Sequence, residues 1–141
     1  MIDRARLLGS WKLVSAVVQK DGRDSDEQGF GPEPNGYIHY MPDGRMAALI
    51  AHTDQAAPPP GATDAERLAQ AGNFVAYGGF FTLDGDTVTH HVDVSSSAAG
   101  MGLDYVRHLT LDGDRLEIRT PPAIPIGRAM SLVWQRVAPR T

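Results

Sequence analysis

The chain has 141 residues, 42% apolar and 21% charged, with 13 basic residues against 17 acidic and a formal charge of −4. That is the length of one ordinary globular domain, and its two lysines and scattered arginines lack the basic cluster that nucleic-acid binding needs. With no cysteine, a disulfide framework, a thiolate nucleophile, a Cys-ligated zinc and an iron–sulfur cluster are all excluded, and a cytoplasmic location fits.

The first eight residues hold no long apolar run, so neither a signal peptide nor a membrane span is expected. Asp3–Leu8 reads instead as a short helical turn that plugs one end of the fold. Beyond it, β-branched and aromatic residues alternate with polar ones in eight stretches: Ser10–Gln19, Gly36–Met41, Arg45–Ala51, Asn73–Leu83, Thr87–Ser95, Leu103–Leu111, Arg115–Thr120 and Ala129–Val137. Asp21-Gly22, Asp43-Gly44, Asp84-Gly85 and Asp112-Gly113 punctuate them, and Asp-Gly between such runs marks a hairpin because glycine accepts positive φ and aspartate tolerates it. Between the third and fourth strands comes Ala56-Ala57-Pro58-Pro59-Pro60-Gly61, which cannot join a central strand. Thr63-Asp64-Ala65-Glu66 follows as a capping box that predicts a helix over 63–71. This insertion is a candidate flap over the fold's mouth, or else a surface loop.

Eight antiparallel strands in so short a chain make either a sandwich or a closed barrel. Closure removes the exposed edges, and eight staves enclose room for one small ligand. The expected fold is therefore all-β, an eight-stranded antiparallel up-and-down barrel occupying 1–141 as a single domain.

Strand periodicity then sorts side chains by face. Taking Asp84-Gly85 as a two-residue turn pairs Phe81 with Val88, Gly79 with His90, Tyr77 with Val92 and Val75 with Val94, all inward, and leaves Thr89, His91 and Asp93 outside. The same treatment of Asp112-Gly113 pairs Leu109 with Leu116, Arg107 with Ile118 and Tyr105 with Thr120. Proline before Asp43-Gly44 favours a three-residue turn, which sets Tyr40 opposite Met46 and Ile38 opposite Ala48 with His39 outside; a two-residue turn would bring His39 in. Symmetric pairing across the Ser95–Gly102 link would put His90 opposite Arg107.

The order of motifs resembles a known family. Leu8-Gly9-Ser10-Trp11-Lys12-Leu13 is similar to the Gly-x-Trp opening of lipocalins, and Leu132-Val133-Trp134-Gln135-Arg136 supplies an arginine to stack on Trp11. Together with Gly36–Met46, Ala76–Phe80, Val88–Val92 and Tyr105–Arg107, the pattern resembles the bacterial and fungal lipocalin-like domain family over nearly the whole chain. The resemblance implies the barrel fold, with members in secondary metabolism. The link Ser95–Gly102 is plainer than the family's.

The inward set forms an apolar pocket with a few convergent polar groups, the usual form of a small-molecule site. Tyr40, Met46, Ile50, Phe81, Val92, Leu109, Ile118 and Leu132 are the candidate ligand-binding residues. Arg107 is the candidate anion anchor, since an inward arginine without a carboxylate partner must meet water or a ligand. His90 is the candidate acid or base, and Tyr77 and Tyr105 the candidate oxyanion donors. This set would serve cofactor-free isomerase, cyclase, dehydratase or lyase chemistry; the alternative is a non-catalytic binding or carrier protein. A packed barrel serving as an interaction domain is the third reading. The five histidines lack metal-ligand spacing, so no metal or cofactor is expected. The expected partner is a small molecule, not nucleic acid or membrane, with the chain a monomer or homodimer.

Overall fold

The computed structural model describes residues 1–122 and 128–140. A short helix, α1 (Arg4–Leu7), leads into β1 (Gly9–Lys20), β2 (Arg23–Gln28), β3 (Asn35–Tyr40) and β4 (Arg45–Ala51). Helix α2 (Asp64–Ala71) follows, then β5 (Phe74–Asp84), β6 (Thr87–Ser95), β7 (Asp104–Asp112), β8 (Arg115–Thr120) and β9 (Met130–Arg136). From β3 onward each strand pairs antiparallel with the next, and β9 returns to β1, so the sheet closes into a barrel.

Nine strands make eight staves. Both β2 and β3 lie antiparallel on the same edge of β1, β2 against Val17–Lys20 and β3 against Gly9–Lys12. They are two halves of one stave, interrupted at 29–34, where Pro32 and Pro34 have no N–H to give a ladder. Phe30 folds from this break into the core, and its carbonyl accepts from the Thr53 backbone N–H at 2.9 Å. The all-polar sequence of β2, Arg-Asp-Ser-Asp-Glu-Gln, carries no alternation by which a strand would be recognised.

The Asp-Gly turns are of two kinds. At Asp21-Gly22 both residues take positive φ, 55° and 75°, as a type I′ turn requires. At Asp84-Gly85-Asp86 and Asp112-Gly113-Asp114 only the glycine does, with Gly85 at 62° and Gly113 at 60°. The central pairs there are Gly85-Asp86 and Gly113-Asp114, so Asp84 pairs with Thr87 and Asp112 with Arg115. This corrects the expected registers by two residues: Phe81 faces His90, Leu109 faces Ile118 and Leu111 faces Leu116. A slip of two keeps every side chain on its expected face. The β3–β4 turn holds three residues, as expected, with Tyr40 opposite Met46 and Ile38 opposite Ala48.

A bulge at Asp93 carries Val94 to the outside, where it is 60% exposed, against the inward position expected for it. Gly79 permits this bulge, because a Cβ there would sit 1.8 Å from the His91 carbonyl oxygen.

The β3–β4, β5–β6 and β7–β8 hairpins, α1 and the end of β9 share one end of the barrel, and the β1–β2 hairpin lies at the other. Trp11, fully buried, anchors that end: its indole N–H donates to the Leu7 carbonyl at 3.0 Å, and the Arg136 guanidinium stacks 4.3 Å from its ring. Arg136 also donates to the Leu8 carbonyl at 2.8 Å, to the Arg6 carbonyl, and to Asp114 at 3.1 Å. The long connections, 52–73 and 96–103, lie at the other end. α2 forms behind the expected capping box, with Thr63 and Glu66 bonded reciprocally, but none of its residues is buried. It therefore adds nothing to the core.

Candidate functional site

The twelve candidate site residues are all buried, but they divide into two groups. Ile50, Tyr77, His90, Arg107, Ile118 and Leu132 line a cavity in the barrel. Tyr40, Met46, Phe81, Val92, Leu109 and Tyr105 pack in the core around it instead of on its wall. Ile38, Ala48, Val75 and Thr120, all expected to face inward, share the wall, and Trp134 completes it, two residues on from Leu132, where the period-two rule would have found it. The space between these side chains is about 20 Å³. A water needs roughly 10–15 Å³ on such a measure, so the barrel as it stands holds one or two. Side chains fill most of the chamber the strand count led one to expect.

The register across β6 and β7 sets His90 opposite Tyr105 and Val88 opposite Arg107, again two residues from the symmetric pairing. His90 is held from both sides. The Tyr40 hydroxyl lies 2.7 Å from Nε2 and the Tyr77 hydroxyl 2.8 Å from Nδ1, and the imidazole is 1% exposed. Burial, then the charges of Arg107 and His91, lower its pKa to about 3, so it is neutral at physiological pH. Burial raises Tyr77 to about 12 against the opposing pull of Arg107, and raises Tyr40 well above the usual tyrosine value. Tyr105 is raised as well, chiefly by burial. Its ring stands edge-on to Tyr77 at 5.1 Å and carries the Arg107 guanidinium 5.1 Å from its centroid.

Arg107 is 3% exposed; it donates weakly to the neighbouring Val106 carbonyl at 3.3 Å, and its guanidinium approaches the Tyr77 hydroxyl closely enough to act on it as a hydrogen-bond donor. No carboxylate pairs with it among the described residues. Two further buried donors are without partners there: the Trp134 indole N–H and the Tyr105 hydroxyl. The cavity thus presents a cation, an unmatched indole and the neutral polar groups of Tyr77, His90 and Thr120 among apolar side chains, and no carboxylate lines it. The Tyr105 hydroxyl lies away from it, beneath the link at Gly100, where an added Cβ would stand 2.3 Å from the oxygen.

The neighbouring His91 faces outward, bonded to Asp104 at 2.8 Å and Thr82 at 2.9 Å. His39 is also on the outer face, 2.8 Å from the Ser10 hydroxyl. Among the described residues no group of three or more histidines and carboxylates is placed to hold a metal ion, and no helix is long and apolar enough to cross a membrane.

A search of curated proteins matches nothing to this chain. Among solved structures the chain is similar to Echinococcus granulosus fatty-acid-binding protein 1, at 12% identity and a TM-score of 0.44, covering 95% of this chain and 99% of that one. The family model described as "Lipocalin-like domain" matches residues 8–137, from the residue before the Gly-x-Trp opening to just past the arginine stacked on that tryptophan. With the closed eight-stave barrel between those two points, the chain belongs to the lipocalin-like domain family.

Proposed function

We propose that this protein is a cytoplasmic, non-catalytic binding barrel for a small, partly apolar organic molecule that carries an acceptor-rich polar head. The observation behind this reading is Arg107, a buried cation on the cavity wall with no carboxylate beside it among the described residues. Such a charge is costly to keep in an apolar interior unless something completes it. The unmatched Trp134 indole on the same wall adds a second demand for an acceptor. A carboxylate, enolate or phenolate oxygen meets both demands.

Acid/base turnover at His90 is the weaker reading. A general base needs a free lone pair and a pKa near the working pH. Both His90 nitrogens are engaged by tyrosines, and its pKa lies far below neutrality. Because the cavity takes only one or two waters, the body of the guest has to part Ile50, Val75 and Thr120. These sit at the strand ends facing the long connections.

The test is native mass spectrometry of the protein purified under non-denaturing conditions, followed by thermal melts with a panel of small acids and their neutral analogues. A bound mass on the wild type that disappears in Arg107→Met supports the reading. At 100 times Kd a ligand adds about 2.7 kcal/mol of stability, a readily measured shift. A wild type that carries no mass and responds to no member of the panel sinks it.

A further inference from the structure

The two hydroxyls on His90 pose a proton-counting problem. A neutral imidazole has one N–H and one lone pair. One tyrosine must therefore donate its proton to the ring, and the other must accept the ring's proton. The accepting tyrosine keeps its own O–H, which then needs an acceptor. Among the described residues neither hydroxyl has one beyond His90.

The two tyrosines are not equivalent places to leave that proton. Tyr40 is off the cavity wall, 1% exposed and packed edge-on against Phe81 with 5.0 Å between ring centroids. An unpaired O–H there would bear its full desolvation cost with nothing to offset it. Tyr77 lines the cavity alongside Arg107, where a water or a guest can accept.

We infer that Tyr77 is a head-group donor alongside Arg107, that His90 is the positioning residue that makes it one, and that the guest's head is an anion. In this arrangement the Tyr40 hydroxyl donates to Nε2, Nδ1–H donates to the Tyr77 oxygen, and the Tyr77 O–H is free for the cavity. Arg107, Tyr77 and the Trp134 indole then make a wall of donors, which selects an acceptor-only group and rejects an alcohol or an amide. The inference rests on the binding reading above and names the chemical class it takes.

The His90 tautomer is read directly from the ring-nitrogen shifts of 15N-histidine-labelled protein. The expected form carries its proton on Nδ1; a proton on Nε2 in the free wild type overturns the assignment of Tyr77, whatever the variants do. Titration with butyrate and with 1-butanol then tests the head group. Butyrate is expected to bind at least tenfold tighter than 1-butanol to the wild type. Tyr77→Phe should reduce that preference about tenfold and Arg107→Met should abolish it. Equal binding of butyrate and 1-butanol overturns the anion assignment and leaves the binding barrel intact. Binding of neither overturns both.

Discussion

Lowering the pH from 7 to 5 should cost this protein about 2 kcal/mol of stability through His90 alone. The imidazole titrates at about 3 in the folded barrel against a model value of 6.5. A depressed folded-state value means that the unfolded chain takes up the proton first. Stability is therefore full above pH 6.5 and falls from there toward pH 3, at about 1.4 kcal/mol per pH unit for one proton. Urea denaturation of the wild type and of His90→Gln at pH 7, 6 and 5 isolates this contribution. Glutamine can bond one or both tyrosines but does not titrate, and subtracting its curve cancels the four outer histidines and the carboxylates. The wild type should lose about 2 kcal/mol more than the variant between pH 7 and pH 5. Parallel curves would mean that His90 is solvated or charged in the barrel, and the neutral Tyr40–His90–Tyr77 network would have to be abandoned.

Arg107→Met should raise the stability of the ligand-free protein by about 1–3 kcal/mol, because an apolar side chain of similar length replaces a buried, unpaired cation. A loss measured by chemical denaturation would show that the arginine is already satisfied by the protein. Gly79→Ala should destabilise by about 3 kcal/mol or more, since its Cβ meets a backbone carbonyl that cannot swing away; an unchanged urea midpoint would mean that the β5–β6 bulge relaxes at little cost. Thr63→Ala should speed amide exchange over 64–71 by about 1 kcal/mol of local opening and shift the global midpoint negligibly, because α2 buries nothing. A global loss of the same size would show that α2 is coupled to the barrel.

The barrel was legible in the sequence because alternation and turn chemistry report on faces and hairpins directly. Phe81, Val88 and His90 lie inside as their spacing requires, and His91 outside. What alternation could not give was register. Asp-Gly-Asp offers two central pairs, and only the backbone conformation of the second aspartate decides between them. The error came out at two residues in each hairpin, which hid it, since faces were preserved. The bulge at Asp93 was different: an odd insertion flips the strand beyond it, and Val94 turned outward. β2 escaped notice because a polar half-stave held by backbone pairing and Ser25 leaves no hydrophobic signature. In the site, the inward polar residues were identifiable one by one, but the clasp of Tyr40 and Tyr77 around His90 depends on three strands meeting and is written in no local pattern.

Closure of the barrel by β1 and β9 has a consequence for the order in which the protein can be made. Trp11 pairs with Arg136, and the guanidinium reaches back to the carbonyl of Leu8, 128 positions earlier in the chain. Until β9 has left the ribosome, one edge of β1 and one of β8 stand open, each a template for pairing with another chain. Contacts this distant in sequence are slow to form, on the order of milliseconds to seconds. The nascent chain therefore passes through an open-sheet state whose lifetime is set by synthesis and loop closure.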